Sequence, residues 1–275
     1  MYHLHMNQRW ILYSFLVITI LVCSRINRIE KSSSGGGSGG VTKKKLRNNN
    51  KQPSELLRVY DFREGFEQPP HLTPLNVTHD LVPRQADGEE GGGLQTIDST
   101  HLNGWIHTGS WLTIVDSNGS ILVLKRGAHL VTCPNAWGLV GEHTLGDEAP
   151  IDTAKRGLRE ELGDEILNHI KSIQTLSEMP PFYFRDYGIA NGNRIDRQVT
   201  YVWLIEMDQP GSKLPLHLDD EVADHKWLQP ESLETWLQEG RHNLQTTGET
   251  GQRLCHETIL TLWEFVMENY KKIKK

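Results

Sequence analysis

Apolar positions recur at helical spacing between Pro150 and Gly163, where Ile151, Ala154, Leu158 and Leu162 share one face. Pro150 suits the first turn, Asp152 suits the positive end of the helix dipole, and Gly163 suits the stop. The pattern therefore predicts a helix from Pro150 to about Gly163. Trp111–Val115 and Ile121–Lys125 are β-rich runs around Asp116-Ser-Asn-Gly119, a strong hairpin signal. Thr200–Ile205 (TYVWLI) reads as a buried strand. Phe182–Tyr187 is its expected hairpin partner, across the polar loop Asn191–Asp196. Pro230–Gly240 predicts a short helix. Glu257–Tyr270 predicts a longer one, with Ile259, Leu262, Trp263, Val266 and Tyr270 on one face. Strands alternating with helices argue for a mixed α/β domain of three layers.

The chemistry gathers in the same stretch. Arg156 and Glu160 lie four apart, and Glu161 follows at once, so the two glutamates are expected to project together near the arginine. Hard cations such as Mg²⁺ are held by one or two carboxylates, with substrate phosphates completing the shell. For a bare Arg-x-x-x-Glu-Glu, a solvated helix end is the ordinary reading. The spacing changes that. Glu148, seven residues, then Arg156-x-Leu158-x-Glu160-Glu161-x-Gly163 resembles the signature of the Nudix hydrolase family, and Trp137–His143 (WGLVGEH) resembles its lead-in.

The resemblance covers residues 100–275 and implies an α/β/α sandwich with a mixed sheet. It implies Mg²⁺ or Mn²⁺ held by Glu160, Glu161 and the Gly141 carbonyl, with Glu148 as a supporting residue of the metal site and Arg156 as an orienting partner. Three positions depart from the signature: Glu142 stands for its first glycine, Asp164 for its last apolar residue, and Gly157 for the first Glu of Arg-Glu. The Gly157 departure removes a carboxylate that often serves as metal ligand or base.

Asp219–Trp227 (DDEVADHKW) resembles the late strand of the family, where an acidic residue often faces the metal; Glu221, or Glu142 at the loop, is the candidate base, and a charged turn is the alternative for Glu221. Arg185, Arg194 and Arg197, with Phe182, Tyr183 and Tyr187, are candidates for phosphate pairing and stacking. Ordinary surface charge and core packing are their plainer reading. The places of His107 and His143 are similar to those of metal histidines in type 1 isopentenyl-diphosphate delta-isomerase, a relative that also lacks the Glu matching Gly157. That enzyme's catalytic Cys precedes Gly-His, however, and Gly141-Glu142-His143 has no thiol. Cys133 lies ten residues before His143, and Gln198 lies near where the isomerase has its catalytic Glu. Without an acid–base pair, alkene protonation has no obvious agent. The expectation is hydrolysis of a diphosphate linkage in a nucleoside-diphosphate-X or prenyl diphosphate. A degenerate module that binds a diphosphate ligand, or an isomerase-like enzyme, remain as alternatives.

Trp10–Cys23 is an apolar run of 14 residues, which suits a signal-peptide core or a short anchor. The expected organisation is a signal anchor or signal peptide over 1–31, a mostly disordered basic and Gly-rich linker over 32–99, and a catalytic domain over 100–275. The formal net charge of −6 hides an asymmetry. Residues 24–51 carry eight Lys/Arg and one Glu, Arg9 adds one positive charge, and 52–275 are left at −14. An acidic body argues against nucleic acid as the main partner. The basic flank downstream of the anchor would keep the domain cytosolic, membrane-bound through residues 10–23. A cleaved peptide would place it in the lumen instead, where sequons at Asn76 and Asn118 could be used. Three spread cysteines, Cys23, Cys133 and Cys255, predict no disulfide framework.

Overall fold

The structure, a computed structural model, describes residues 55–85, 93–130, 132–189, 192–245 and 257–274; the side chains of 241–245, 257 and 258 lie outside that description. Its elements are β1 (Leu56–Arg58), β2 (Tyr60–Phe62), α1 (Val77–Asp80), β3 (Leu81–Pro83), β4 (Leu94–Thr96), α2 (Ile97–Asn103), β5 (Ile106–Val115), β6 (Ile121–Arg126), β7 (Trp137–Gly138), β8 (Val140–His143), α3 (Pro150–Leu162), β9 (Ile170–Thr175), β10 (Phe182–Asp186), β11 (Ile195–Met207), β12 (Val222–Leu228), α4 (Pro230–Gln245) and α5 (Glu257–Lys274).

Strands β5 and β11 run parallel through the middle of a mixed sheet, in register from Arg197↔Ile106 to Glu206↔Val115. β10 and β9 pair antiparallel with successive stretches of β11. On the far side of β5, β8 pairs with Gly109–Leu112, while β6 leaves it after the single pair Val115↔Ile121 and joins β12 and β7. Alternation along the strands builds the three layers. Trp203 and Ile205 pack with Ala154, Leu158 and Leu162 of α3 on one face. Val202 and Leu204 pack with Leu233, Leu237, Trp263 and Val266 of α4 and α5 on the other. Gly163 ends α3 with φ 93° and an N–H bond to the Arg159 carbonyl at 2.9 Å. The hairpin, the β10–β11 pairing and α3 form as the pattern predicts, and α4 and α5 form but run five and four residues past the predicted ends at Gly240 and Tyr270.

Part of the expected disordered linker is ordered instead. β2 pairs with β3 and touches β5 at Tyr60↔Ile106, and Leu75 and Leu81 close a core with Ile106, Phe182 and Val199. Leu57 bridges to Leu145, and Arg58 donates from Nε and Nη2 to the two carboxylate oxygens of Asp147, which clamps β1 onto the loop before α3. These strands are three residues long, and Leu57, Val59, Leu75 and Leu81 are too sparse to show a period, so only packing reveals them. The expected anchor over 10–23 and the Gly-rich stretch over 32–40 lie outside the described residues. Among the described residues no helix is long and apolar enough to cross a membrane.

Candidate active site

A cavity of about 410 Å³ opens at the end of the sheet where β5 and β11 begin and β8 stops. Trp111, Trp137 and Tyr183 give it an aromatic wall; Glu142, His143, Arg126, Arg194, Asp196 and Glu221 give it charge. Two polar clusters adjoin it, joined through Glu142 and His143; Arg156, Glu148, Glu160 and Glu161 of the first are not on the cavity wall.

The first cluster is built around Arg156. Its guanidinium donates to Glu148 Oε1 and Oε2 (3.2 and 3.1 Å), to Glu160 Oε2 (3.1 Å) and to the His143 carbonyl, and it pairs with Glu142 Oε1 at 3.0 Å. One side chain thus ties α3 to β8 and to the preceding loop. Burial opposes its charge, but the carboxylates of Glu148 and Glu142 more than offset that and hold its pKa above the ordinary value. Burial also pushes Glu148 up, and the bonds from Arg156 outweigh it, so its carboxyl sits below the usual range. Glu148 also accepts from Thr153 Oγ1 at 3.0 Å and Leu145 N–H at 3.3 Å, so it is spent on Arg156 and the loop rather than turned to a metal.

Glu160 and Glu161 part company. Glu160 is exposed and joined to Arg156, whereas Glu161 points inward among Glu142, Arg126, Asp219 and Glu221. Burial first, then the like charge of Glu142, raise the Glu161 carboxyl well above the carboxylate range, with Arg126 opposing. Burial raises Glu142 to about 7 against the pull of Arg156. Glu221 sits in the turn before β12 rather than on the strand. Its carbonyl accepts from Gly127 N–H at 2.6 Å, and it is exposed on the cavity wall.

The second cluster is imidazole. His101 on α2, His107 on β5 and His143 at the end of β8 bring ring nitrogens within 4.8 Å of one another. The His107 Nδ1 lies 3.3 Å from the Trp105 carbonyl; a carbonyl only accepts, so Nδ1 carries the proton and Nε2 offers its lone pair. That Nε2 faces Asp196 Oδ1 at 3.6 Å, and His101 Nε2 faces the same oxygen at 3.9 Å. All three atoms are buried without a hydrogen-bond partner. Burial lowers His101 to about 4 and His143 to about 3, takes His107 well below the ordinary value, and raises Asp196 to about 7 against Arg194. An unsatisfied buried polar atom costs ~1–3 kcal/mol. Neutral imidazoles with free lone pairs beside a carboxylate are the donor set of a transition-metal site. His107 and His143 were legible as metal candidates; His101 and Asp196 were not.

The remaining candidates divide by face. Tyr183 and Gln198 are cross-strand partners, and both line the cavity. A Cβ on Gly109 would stand 1.8 Å from Gln198 Nε2, so glycine is what admits that side chain. Arg194 lines the cavity and pairs with Asp98 at 2.7 Å. Arg185 lies over the Tyr187 ring at 5.9 Å and off the cavity wall. Arg197 is on the opposite face of β11, against Phe184 at 6.0 Å, and does not reach the site: a strand turns alternate residues away. Cys133, for which the spread of the cysteines predicted no disulfide, lies on the cavity wall and is disulfide-bonded; the other two cysteines fall outside the described residues.

The NUDIX domain family matches residues 106–246, slightly more than half of the chain. The chain belongs to the Nudix family. Its sequence is 26% identical over 124 residues to the nucleoside triphosphatase NudI of Salmonella paratyphi B and of Salmonella newport, covering 44% of this chain and 80% of each relative. Among solved structures it is similar to a Nudix hydrolase, RenU, of M. smegmatis (TM-score 0.39, 15% identity, 68% of this chain and 97% of that one). It is also similar to a C. elegans Ap4A hydrolase (TM-score 0.39, 13% identity, 60% and 96%).

Proposed function

We propose that this Nudix protein hydrolyses a diphosphate linkage, with a nucleoside di- or triphosphate as the substrate class, in a divalent-metal-dependent reaction. The observation that carries the reading is the crowding of Glu142, Asp219 and Glu221, with Arg126 opposing, about the Glu161 carboxyl, beside a cavity whose wall holds Glu142, Glu221, Arg126, Trp111 and Tyr183. Carboxylates in excess of arginines fit a hard cation, and Mg²⁺ or Mn²⁺ would be held by Glu161 with the Gly141 carbonyl. When bound, such a cation offsets charge on the phosphate oxygens and lowers the pKa of water. Arg156 holds β8 and α3 at fixed separation, so the Glu161 carboxylate is placed before substrate arrives. Arg194 and Arg126 are the cavity's phosphate-pairing groups. Glu221, at the mouth, accepts the proton of the attacking water. Trp111 and Tyr183, ring centroids 6.0 Å apart, offer the stacking surface for a base. NudI, a nucleoside triphosphatase by name, supports the nucleotide choice.

The test is phosphate or pyrophosphate release by the full chain with Mg²⁺ or Mn²⁺, across nucleoside, sugar and prenyl diphosphates and nucleoside triphosphates, beside Glu161→Gln. Metal-dependent turnover lost in the variant is the expected result; turnover that survives it sinks the assignment. One observation favours a second reading, an isomerase acting on a prenyl diphosphate: His107 and His143, the two positions the resemblance names, converge, with His101 beside them. Against it, Cys133, the one cysteine on the cavity wall among the described residues, is held in a disulfide. Conversion of isopentenyl diphosphate to its allylic isomer in the same panel would decide for it. A disulfide belongs to an oxidising compartment, which supports the luminal alternative over the cytosolic one. Glycan on Asn76 or Asn118, both exposed, would be its mark.

A further inference from the structure

Gly157 is buried in the middle of α3, a position where only proline is a poorer helix former. The structure supplies the reason for it. A Cβ built on Gly157 would lie 3.0 Å from Glu142 Cβ and 3.4 Å from its Cγ, with Glu142 Oε2 at 3.7 Å. The Glu142 side chain, coming from β8, therefore occupies the space a side chain at 157 would take. Its position is fixed: Oε1 accepts the His143 N–H at 2.9 Å and pairs with Arg156 at 3.0 Å. Both contacts end on Oε1, so Oε2 is the oxygen that lies over Gly157, and Glu142 is on the cavity wall beside Glu161. Two positions 15 residues apart in sequence thus compete for one volume, and the chain fills it from the strand instead of the helix.

We propose that Glu142 is a metal-binding carboxylate of this site, supplying from β8 the group that α3 lacks at Gly157 and holding the divalent cation together with Glu161. The proposal rests on the hydrolase reading of the cavity. It predicts that the carboxylate can be moved across the gap: Glu142→Gly empties the volume that Gly157→Glu then fills.

The experiment is Mn²⁺ affinity by electron paramagnetic resonance on the full chain, with circular dichroism as the check of folding and substrate turnover recorded alongside. The proteins are wild type, Glu142→Gln, Glu142→Gly, Gly157→Glu, the double exchange and Glu161→Gln. Glu142→Gln, which keeps size and removes charge, is expected to weaken Mn²⁺ by about tenfold or more. Glu142→Gly is expected to do the same, and the double exchange to recover to within about threefold of wild type. Gly157→Glu alone crowds a carboxylate into occupied space and is expected to bind Mn²⁺ no better than wild type. Unchanged Mn²⁺ affinity in Glu142→Gln, or a double exchange no better than Glu142→Gly, overturns the proposal while leaving the hydrolase reading standing. A wild type that binds no Mn²⁺ and turns over no diphosphate overturns that reading itself. A purely structural role for Glu142 would show as lost folding in Glu142→Gln with the residual folded protein binding Mn²⁺ normally, which also counts against the proposal.

Discussion

The two clusters of the cavity treat charge in opposite ways. Around Arg156 the protein supplies its own counter-ion: one guanidinium satisfies Glu142, Glu148 and Glu160 and a carbonyl besides. Around His107 only the more distant Arg194 acts on Asp196: two imidazole nitrogens and a carboxylate oxygen face one another without a hydrogen bond. The first arrangement is closed by Arg156 at Glu148 and Glu160 and leaves the Glu142 contacts on Oε1 alone, so it holds Glu142 in place with Oε2 turned over Gly157. The second is incomplete as protein, and a buried polar group without a partner is a cost the fold bears for a reason. The lesson is that a site's scaffold and its ligand positions can be told apart by where hydrogen bonds are complete and where they stop.

Breaking the finished cluster should have the largest effect. Arg156→Ala leaves three carboxylates without their cation, and loss of one partner of a partly buried pair costs about 3–5 kcal/mol. Denaturant unfolding should register it, with the distance between α3 and β8 no longer fixed and turnover lost. Arg156→Lys should recover little, because a point charge cannot reach Glu142, Glu148 and Glu160 together.

The unfinished cluster should respond to metal instead. A transition metal at about 100 times its Kd is expected to stabilise the protein by about 2.7 kcal/mol, seen as a chelator-reversible rise in Tm. His107→Asn should abolish that rise while leaving the carboxylate cluster's response to Mn²⁺. Equal responses in the variant and wild type would show that the histidines hold no ion.

pH separates the groups further. His101 and His143, lowered to about 4 and about 3, stabilise the fold fully above their unfolded pKa near 6.5, and that contribution is lost as pH falls below it. Asp196 and Glu142, raised to about 7, contribute below the unfolded carboxylate range, and lose that contribution as pH rises through about 7. Between about pH 4 and 7 the two trends oppose. In metal-free protein, Asp196→Asn should make stability climb more steeply with pH in that window, and His101→Asn should make it climb less. Each change is bounded by about 1.4 kcal/mol per pH unit for one proton. Urea unfolding at intervals across the window checks both signs.

The smallest effect is the most discriminating for substrate. Arg194→Gln should raise KM for the phosphate substrate, whereas Arg197→Gln, on the far face of β11 against Phe184 and off the cavity wall, should leave KM within about twofold, since its side chain points away from the cavity. An equal loss in both would place the phosphate elsewhere.

Much of this was written locally in the chain. Ile151, Ala154, Leu158 and Leu162 specify the inner face of α3, Pro150 and Gly163 its ends, and Asp116–Gly119 the turn between β5 and β6, because helix period, caps and turns are set by residues within a few positions of one another. The spacing of Glu148, Arg156, Glu160 and Glu161 marked the site and its family for the same reason. Tertiary structure decided what depends on distant neighbours. It turned Glu161 inward and left Glu160 outside. It ordered Leu57–Val59 against the loop at Leu145, although three-residue strands carry no readable period. It brought His101 of α2 and Asp196 of β11, 95 residues apart, to one centre. It put the Glu142 side chain over Gly157, a relation that lies in the volume between a strand and a helix and in no stretch of sequence.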